Sequence, residues 1–138
     1  MPFTWPVRVR FVDTDASYRI HYTAMLRHFE AAEIEFFRSL GRERKDVSTA
    51  AVNFPRVHVE CTYTAFVQFD DLLEIAVRVE RIGRTSYTLR FDAGIESRPV
   101  AHGSVTAVCV ERSTRRSHPM PPELVDMLKK AQAADAIG

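Results

Sequence analysis

Trp5, Val7, Val9 and Phe11 are spaced two apart, with Arg8 and Arg10 between them. That period of two predicts a half-buried strand over residues 5–12. Between 23 and 40 the period changes. Met25, Leu26, Phe29, Ala32, Phe36, Phe37 and Leu40 recur at steps of three and four, one face of an α-helix. Thr23 is placed to cap its start and Gly41 to stop it. The 18 residues from 23 to 40 make a helix of about 27 Å. The period then returns to two. Val57, Val59, Cys61 and Tyr63 alternate with Arg56, His58, Glu60 and Thr62. Leu73, Ile75, Val77 and Val79 form a second apolar row, and Tyr87, Leu89, Phe91 and Ala93 a third. Residues 99–112 make a further strand, whose small Ala101, Gly103 and Ala107 predict close approach of another element. Asp70-Asp71 and Gly83-Arg84 mark turns. Pro121-Pro122 opens a short helix to Lys130, and 129–138, KKAQAADAIG, reads as a fraying tail.

Strand, long helix, four strands, short helix: this order predicts an α+β layer of antiparallel strands with the long helix on one face. A single domain over 1–138 accommodates it. One helix covers only part of a five-stranded sheet, so a further copy of the chain is expected to cover the remaining apolar face or edge.

Charge narrows the partners. Nineteen basic residues against 18 acidic give a net charge of +1, which does not point to nucleic acid. No apolar run reaches the ~20 residues of a membrane span. The N-terminus has no signal-peptide core, and Cys61 and Cys109, each within an apolar row, read as reduced, buried thiols. A cytoplasmic protein is expected. His28, His58, His102 and His118 form no metal-ligand spacing, and His28 falls off the helix stripe.

Candidate chemistry gathers in FVDTDASYRIHY, residues 11–22, between the first strand and the helix. From spacing, Asp13 and Asp15 have two readings. They cap the turn and complement the positive helix end, or one of them acts as base or nucleophile. Glu33 lies near the middle of the apolar stripe, where a carboxylate is either functional or paired. Glu30 and Glu35 are placed for surface pairs with Arg27 and Arg38.

The pattern F-x-D-T-D-A (11–16) followed by HFEAAEIEFFRSLG (28–41) resembles the hotdog-fold acyl-CoA thioesterases, in particular the 4-hydroxybenzoyl-CoA thioesterase type. FPRVHVECTYTAFVQFDDLLEI (54–75), RIGRTSYTL (81–89) and RSHPMPPELVDML (116–128) continue the match in order. The resemblance implies a hotdog fold, a five-stranded antiparallel sheet wrapped around one long central helix. It implies a homodimer with a continuous sheet, often a homotetramer, with active sites at the interface and no metal or organic cofactor. It places the catalytic carboxylate at Asp15, as base or nucleophile, and an oxyanion donor at Tyr22 on the helix N-terminus, with Asp13 shaping the turn. His21 is a secondary candidate. Another branch of the fold uses a helix glutamate, which implies a pocket role for Glu33, against a pairing with an arginine across the interface. Arg84, Thr85 and Ser86 match a turn that lines the path of the acyl-CoA substrate, with Arg112, Arg115 and Arg116 as a second basic patch. Phe29, Phe54 and Phe66 would line an acyl slot or simply pack. Many relatives carry Gly-Gly or Ala-Gly after the aspartate, then Tyr-His and an asparagine; here stand Ser17, Tyr18, His21, Tyr22 and Ala24. An acyl-carrier-protein thioesterase and a non-catalytic acyl-CoA-binding module are the alternatives.

Overall fold

A computed structural model describes residues 1–42 and 51–137. The first strand, β1 (Phe3–Arg8), is shorter than its alternation predicts. Val9 leaves the ladder fully buried, and the chain turns through a short 3-10 segment, Phe11–Asp13, with Phe11 at the surface. Asp13 causes the break, because its Oδ2 accepts the Arg10 N–H at 2.9 Å and closes the turn.

Helix α1 (Ala24–Ser39) buries Met25, Phe29, Ala32, Phe36 and Phe37, the face the period predicts. Burial of each of the larger side chains contributes about 1.5–3 kcal/mol. Gly41 ends it at φ 87°, while Gly41 N–H reaches Arg38 O and Arg42 N–H reaches Phe37 O, both at 3.0 Å. The start differs from expectation. Thr23 makes no side-chain cap; its hydroxyl lies 2.9 Å from His21 Nδ1, and that same nitrogen accepts the Thr23 N–H at 3.2 Å. Arg38 pairs with Glu35 on the helix surface, whereas Arg27 turns away from Glu30 to Asp13.

Strands β2 (Val52–Asn53) and β7 (Val110–Glu111) form a small ribbon. The main sheet contains β3 (Arg56–Tyr63), β4 (Leu72–Ile82), β5 (Ser86–Ile95) and β6 (Arg98–Val108) in the order β1-β4-β5-β6-β3, all antiparallel. Consecutive strands pair from β4 to β6, but β3 crosses to the far edge beside β6. Its connection to β4, residues 64–71, therefore travels across the molecule. The sheet packs α1 against its centre: Phe29 stacks on Phe91 with ring centroids 4.8 Å apart. A Cβ on Gly103 would lie 2.1 Å from Glu60 O and 2.9 Å from Phe29 Cε2, the close approach that the small residues of β6 predict.

Two further differences have physical causes. The register slips between Arg56 and His58 in β3, a bulge that breaks its alternation. The second helix, α2 (Pro122–Ile137), continues through most of the segment that reads as a fraying tail. Gln132 Nε2 donates to Val79 O at 3.1 Å and Arg78 Nε to Asp135 Oδ2 at 3.1 Å, so β4 holds its last turns. Cys109 is buried and Cys61 half-buried, both as free thiols.

Candidate active site

The turn after Asp13 is closed from inside and outside. Asp15 N–H donates to Arg19 O at 2.9 Å and Tyr18 N–H to Asp15 O at 3.0 Å. The β3–β4 crossover then pins it: Ile20 N–H reaches Val67 O at 2.8 Å, and Phe69 N–H reaches Tyr18 O at 2.9 Å. Tyr18 stands at φ 63°, the left-handed region that glycine enters freely and other residues enter at about 1–2 kcal/mol. Ring contacts with Phe11 at 6.0 Å, itself 5.9 Å from Phe69, accompany that strained backbone. Arg19 lies over the exposed Phe66 ring, 4.1 Å from its centroid.

Asp15 is at the surface. Its Oδ1 accepts the Ser17 hydroxyl at 2.5 Å and the Ser17 N–H at 2.8 Å. The hydroxyl first, then the amide, hold this carboxyl below its ordinary range, with His21 and Arg19 adding a little. Asp15 is thus a carboxylate at neutral pH, and Oδ2 has no protein partner among the described residues.

Where the turn meets α1, backbone donors are sorted. His21 N–H is taken by Asp13 O at 2.8 Å, Thr23 N–H by the His21 ring and Ala24 N–H by His21 O at 2.9 Å. Among the described residues, Tyr22 N–H has no acceptor. Tyr22 directly precedes Thr23, the N-cap of α1, and the field at that helix end favours negative charge. The Tyr22 carbonyl is fixed by Tyr63, whose hydroxyl donates to it at 3.0 Å. Burial chiefly, and neighbouring Cys61, push the Tyr63 phenol up to about 12, so it remains a donor. The Tyr22 side chain is exposed and stacks on His21 at 4.5 Å. Tyr63 was legible only as one member of an apolar row.

Asp13 is buried under the turn. Oδ1 accepts Arg27 Nη2 at 3.1 Å, and His28 Nε2 lies 3.2 Å from Oδ2 without hydrogen-bond alignment. Burial works against the Asp13 charge, but the Arg10 N–H, Arg27 and His28 outweigh it and lower its pKa. His28 is buried too, contrary to its placement off the helix stripe. Burial lowers its pKa despite Asp13, and Arg27 and Arg10 act in the same direction.

The remaining candidates lie elsewhere. Glu33 is buried, and its Oε1 accepts Arg56 Nη2 at 2.5 Å. This arginine belongs to the same chain. The bulge explains this, because it breaks the alternation that puts Arg56 on the outer row of β3. Tyr87, Glu33 and Glu30 outweigh burial and raise the Arg56 pKa. Phe29 is fully enclosed in the core. Arg84 is exposed at the turn before β5, Thr85 O accepts the Cys109 N–H at 2.7 Å, and Ser86 Oγ accepts Arg81 Nη2 at 3.1 Å. Phe54, Tyr87, Arg56 and Arg115 line a cavity of about 1130 Å³ that also touches Phe37 near the C-terminal end of α1. Asp15, His21 and Tyr22 cluster at the other end of that helix and do not line it. Among the described residues, no group of three or more His, Cys, Asp or Glu side chains is arranged to hold a metal.

The chain and its fold have counterparts among known proteins. The model of the thioesterase-like superfamily matches residues 9–128. The chain belongs to that superfamily. It is similar to a 1,4-dihydroxy-2-naphthoyl-CoA hydrolase of Synechococcus elongatus, 28% identical over 88% of this chain and 90% of that one. An acyl-CoA thioester hydrolase of Escherichia coli O6:H1 is 27% identical over 93% of this chain and 96% of its own. Among solved structures, a DHNA-CoA thioesterase from Staphylococcus aureus superposes with a TM-score of 0.87 at 18% identity, covering 98% of this chain and 93% of that one. The last likeness establishes the hotdog fold alone.

Proposed function

We propose that this member of the thioesterase-like superfamily hydrolyses acyl-CoA thioesters to a free carboxylic acid and CoA. The observation that carries the reading is the ionised Asp15, within electrostatic reach of His21, in the same turn as the acceptor-free N–H of the next residue, Tyr22. The thioester oxygen takes the Tyr22 N–H, which stabilises the charge that develops on it. Asp15 Oδ2 removes a proton from the attacking water, or itself attacks the carbonyl to give a mixed anhydride that a water then hydrolyses. CoA leaves as a thiolate, a far weaker base than an alkoxide, and needs little help from an acid. Membership of the superfamily and the names of the two relatives near 28% identity support the acyl-CoA substrate.

The exposed guanidinium of Arg84 is our candidate contact for the phosphates of CoA. Strand β3 lies at the sheet edge with Val57 and Val59 exposed, which supports a homodimer, or a homotetramer of such dimers, joined through β3. The free thiols Cys61 and Cys109 agree with a cytoplasmic setting.

The test is thiol release from a panel of acyl-CoAs, acetyl to palmitoyl with benzoyl and phenylacetyl, by wild type and Asp15→Asn. Wild type is expected to release CoA, and the variant to lose at least about 10³-fold in kcat with an unchanged melting temperature. Near-normal turnover by the variant would remove Asp15 from the chemistry. Cleavage of acyl-carrier-protein substrates alone would replace CoA by a protein handle.

A further inference from the structure

We propose that Asp13, clamped between Arg27 and His28 of α1, is a positioning residue that sets the Asp15 carboxylate against the Tyr22 N–H. The inference rests on the reading of Asp15 and Tyr22 given above.

Asp13 reaches both ends of the candidate site. It lies two residues before Asp15 in the chain. Its carbonyl accepts the His21 N–H at 2.8 Å, immediately before Tyr22. Its side chain ties this junction to three places: the Arg10 N–H at 2.9 Å, Arg27 Nη2 at 3.1 Å and the neighbourhood of His28 Nε2 at 3.2 Å. A shift of Asp13 therefore moves the entry of the turn and the start of the helix relative to each other. Its carboxylate is buried, and its charge is kept there by the Arg10 N–H and Arg27 Nη2, which donate to it. A plain turn cap needs one backbone N–H. Asp13 instead gathers contacts from two side chains of the helix whose N-terminus would bind the oxyanion. Misplacement of reacting groups by about 1 Å costs about 10²-fold in rate.

The test pairs kinetics with hydrogen exchange on the full chain. Asp13→Asn keeps the shape but sets an amide among donors. Arg27→Met removes one arm from the solvent side, where Arg27 is 55% exposed, and keeps the question open to test if Asp13→Asn fails to fold. Asp13→Asn is expected to lower kcat about 30- to 100-fold with KM within about twofold, and Arg27→Met about 3- to 10-fold. Peptides spanning residues 13–23 are expected to exchange at least about tenfold faster in both variants, with the β5 and β6 peptides unchanged. Turnover and exchange like wild type in both variants would overturn the proposal. So would faster exchange throughout the sheet, which marks a purely structural role. Should wild type cleave no thioester, the hydrolase reading falls on that result, and the exchange of 13–23 still decides whether Asp13 orders the junction.

Discussion

Asp13 and Asp15 are two residues apart and chemically identical, yet their surroundings separate them. Asp13 is enclosed among an amide, a guanidinium and an imidazole, while Asp15 faces solvent with only Ser17 on one oxygen. Because the Ser17 hydroxyl is the largest influence lowering the Asp15 pKa, Ser17→Ala is expected to move the acid limb of the kcat/KM profile to higher pH. An unmoved limb would mean that another group titrates there. His28 and Asp13 also link stability to pH. Both have folded-state pKa values below their ordinary ones of 6.5 and 3.8. For each, the unfolded chain takes up its proton first as pH falls. The His28 contribution is therefore complete above about pH 6.5 and is lost as pH drops from there through its folded pKa. That of Asp13 is complete above pH 3.8 and lost below it. Urea midpoints measured from pH 8 to 5 are expected to fall for wild type and to flatten in His28→Gln.

Between elements, β6 comes close to both β3 and α1 at Gly103. A methyl group there meets the Glu60 carbonyl and the Phe29 ring, so the β3–β6 pairing has to open and the ring has to give way. Gly103→Ala is expected to cost about 1–3 kcal/mol, read from the urea midpoint. Alternation told the strands apart and three- and four-residue steps found α1, because both periods are set locally by backbone geometry. The bulge in β3 is different. One extra residue changes the face on which Arg56 lies, and that change creates the Glu33–Arg56 pair. Nothing in the order of polar and apolar residues marks it. The same limit hid the end of α2, whose Gln132 and Asp135 partners lie on β4.

For the whole molecule, β3 matters most. Its apolar row continues past the helix: Tyr63 lies under the start of α1, while Val59 and Val57 are 50% and 61% exposed. Together with the open hydrogen-bonding edge, they leave apolar surface that a second copy would cover. Val59→Lys is expected to shift the mass measured by sedimentation from dimer or tetramer to monomer, and to reduce activity if the site needs two chains. A wild-type mass of one chain would remove the interface from the account.

The sequence determined the helix and most of the strands, and it placed two carboxylates in the turn before the helix, because periodicity and turn chemistry act over a few residues. It also carried the family pattern that singles out Asp15. Tertiary structure decided which donors surround each acid, that His28 is buried beside Asp13, that Tyr63 holds the Tyr22 carbonyl, and that Glu33 finds its arginine within the chain. Those outcomes depend on β3 crossing the sheet to its far edge and on one bulge within it. Both are settled by packing between segments far apart in the chain, where local pattern carries no information.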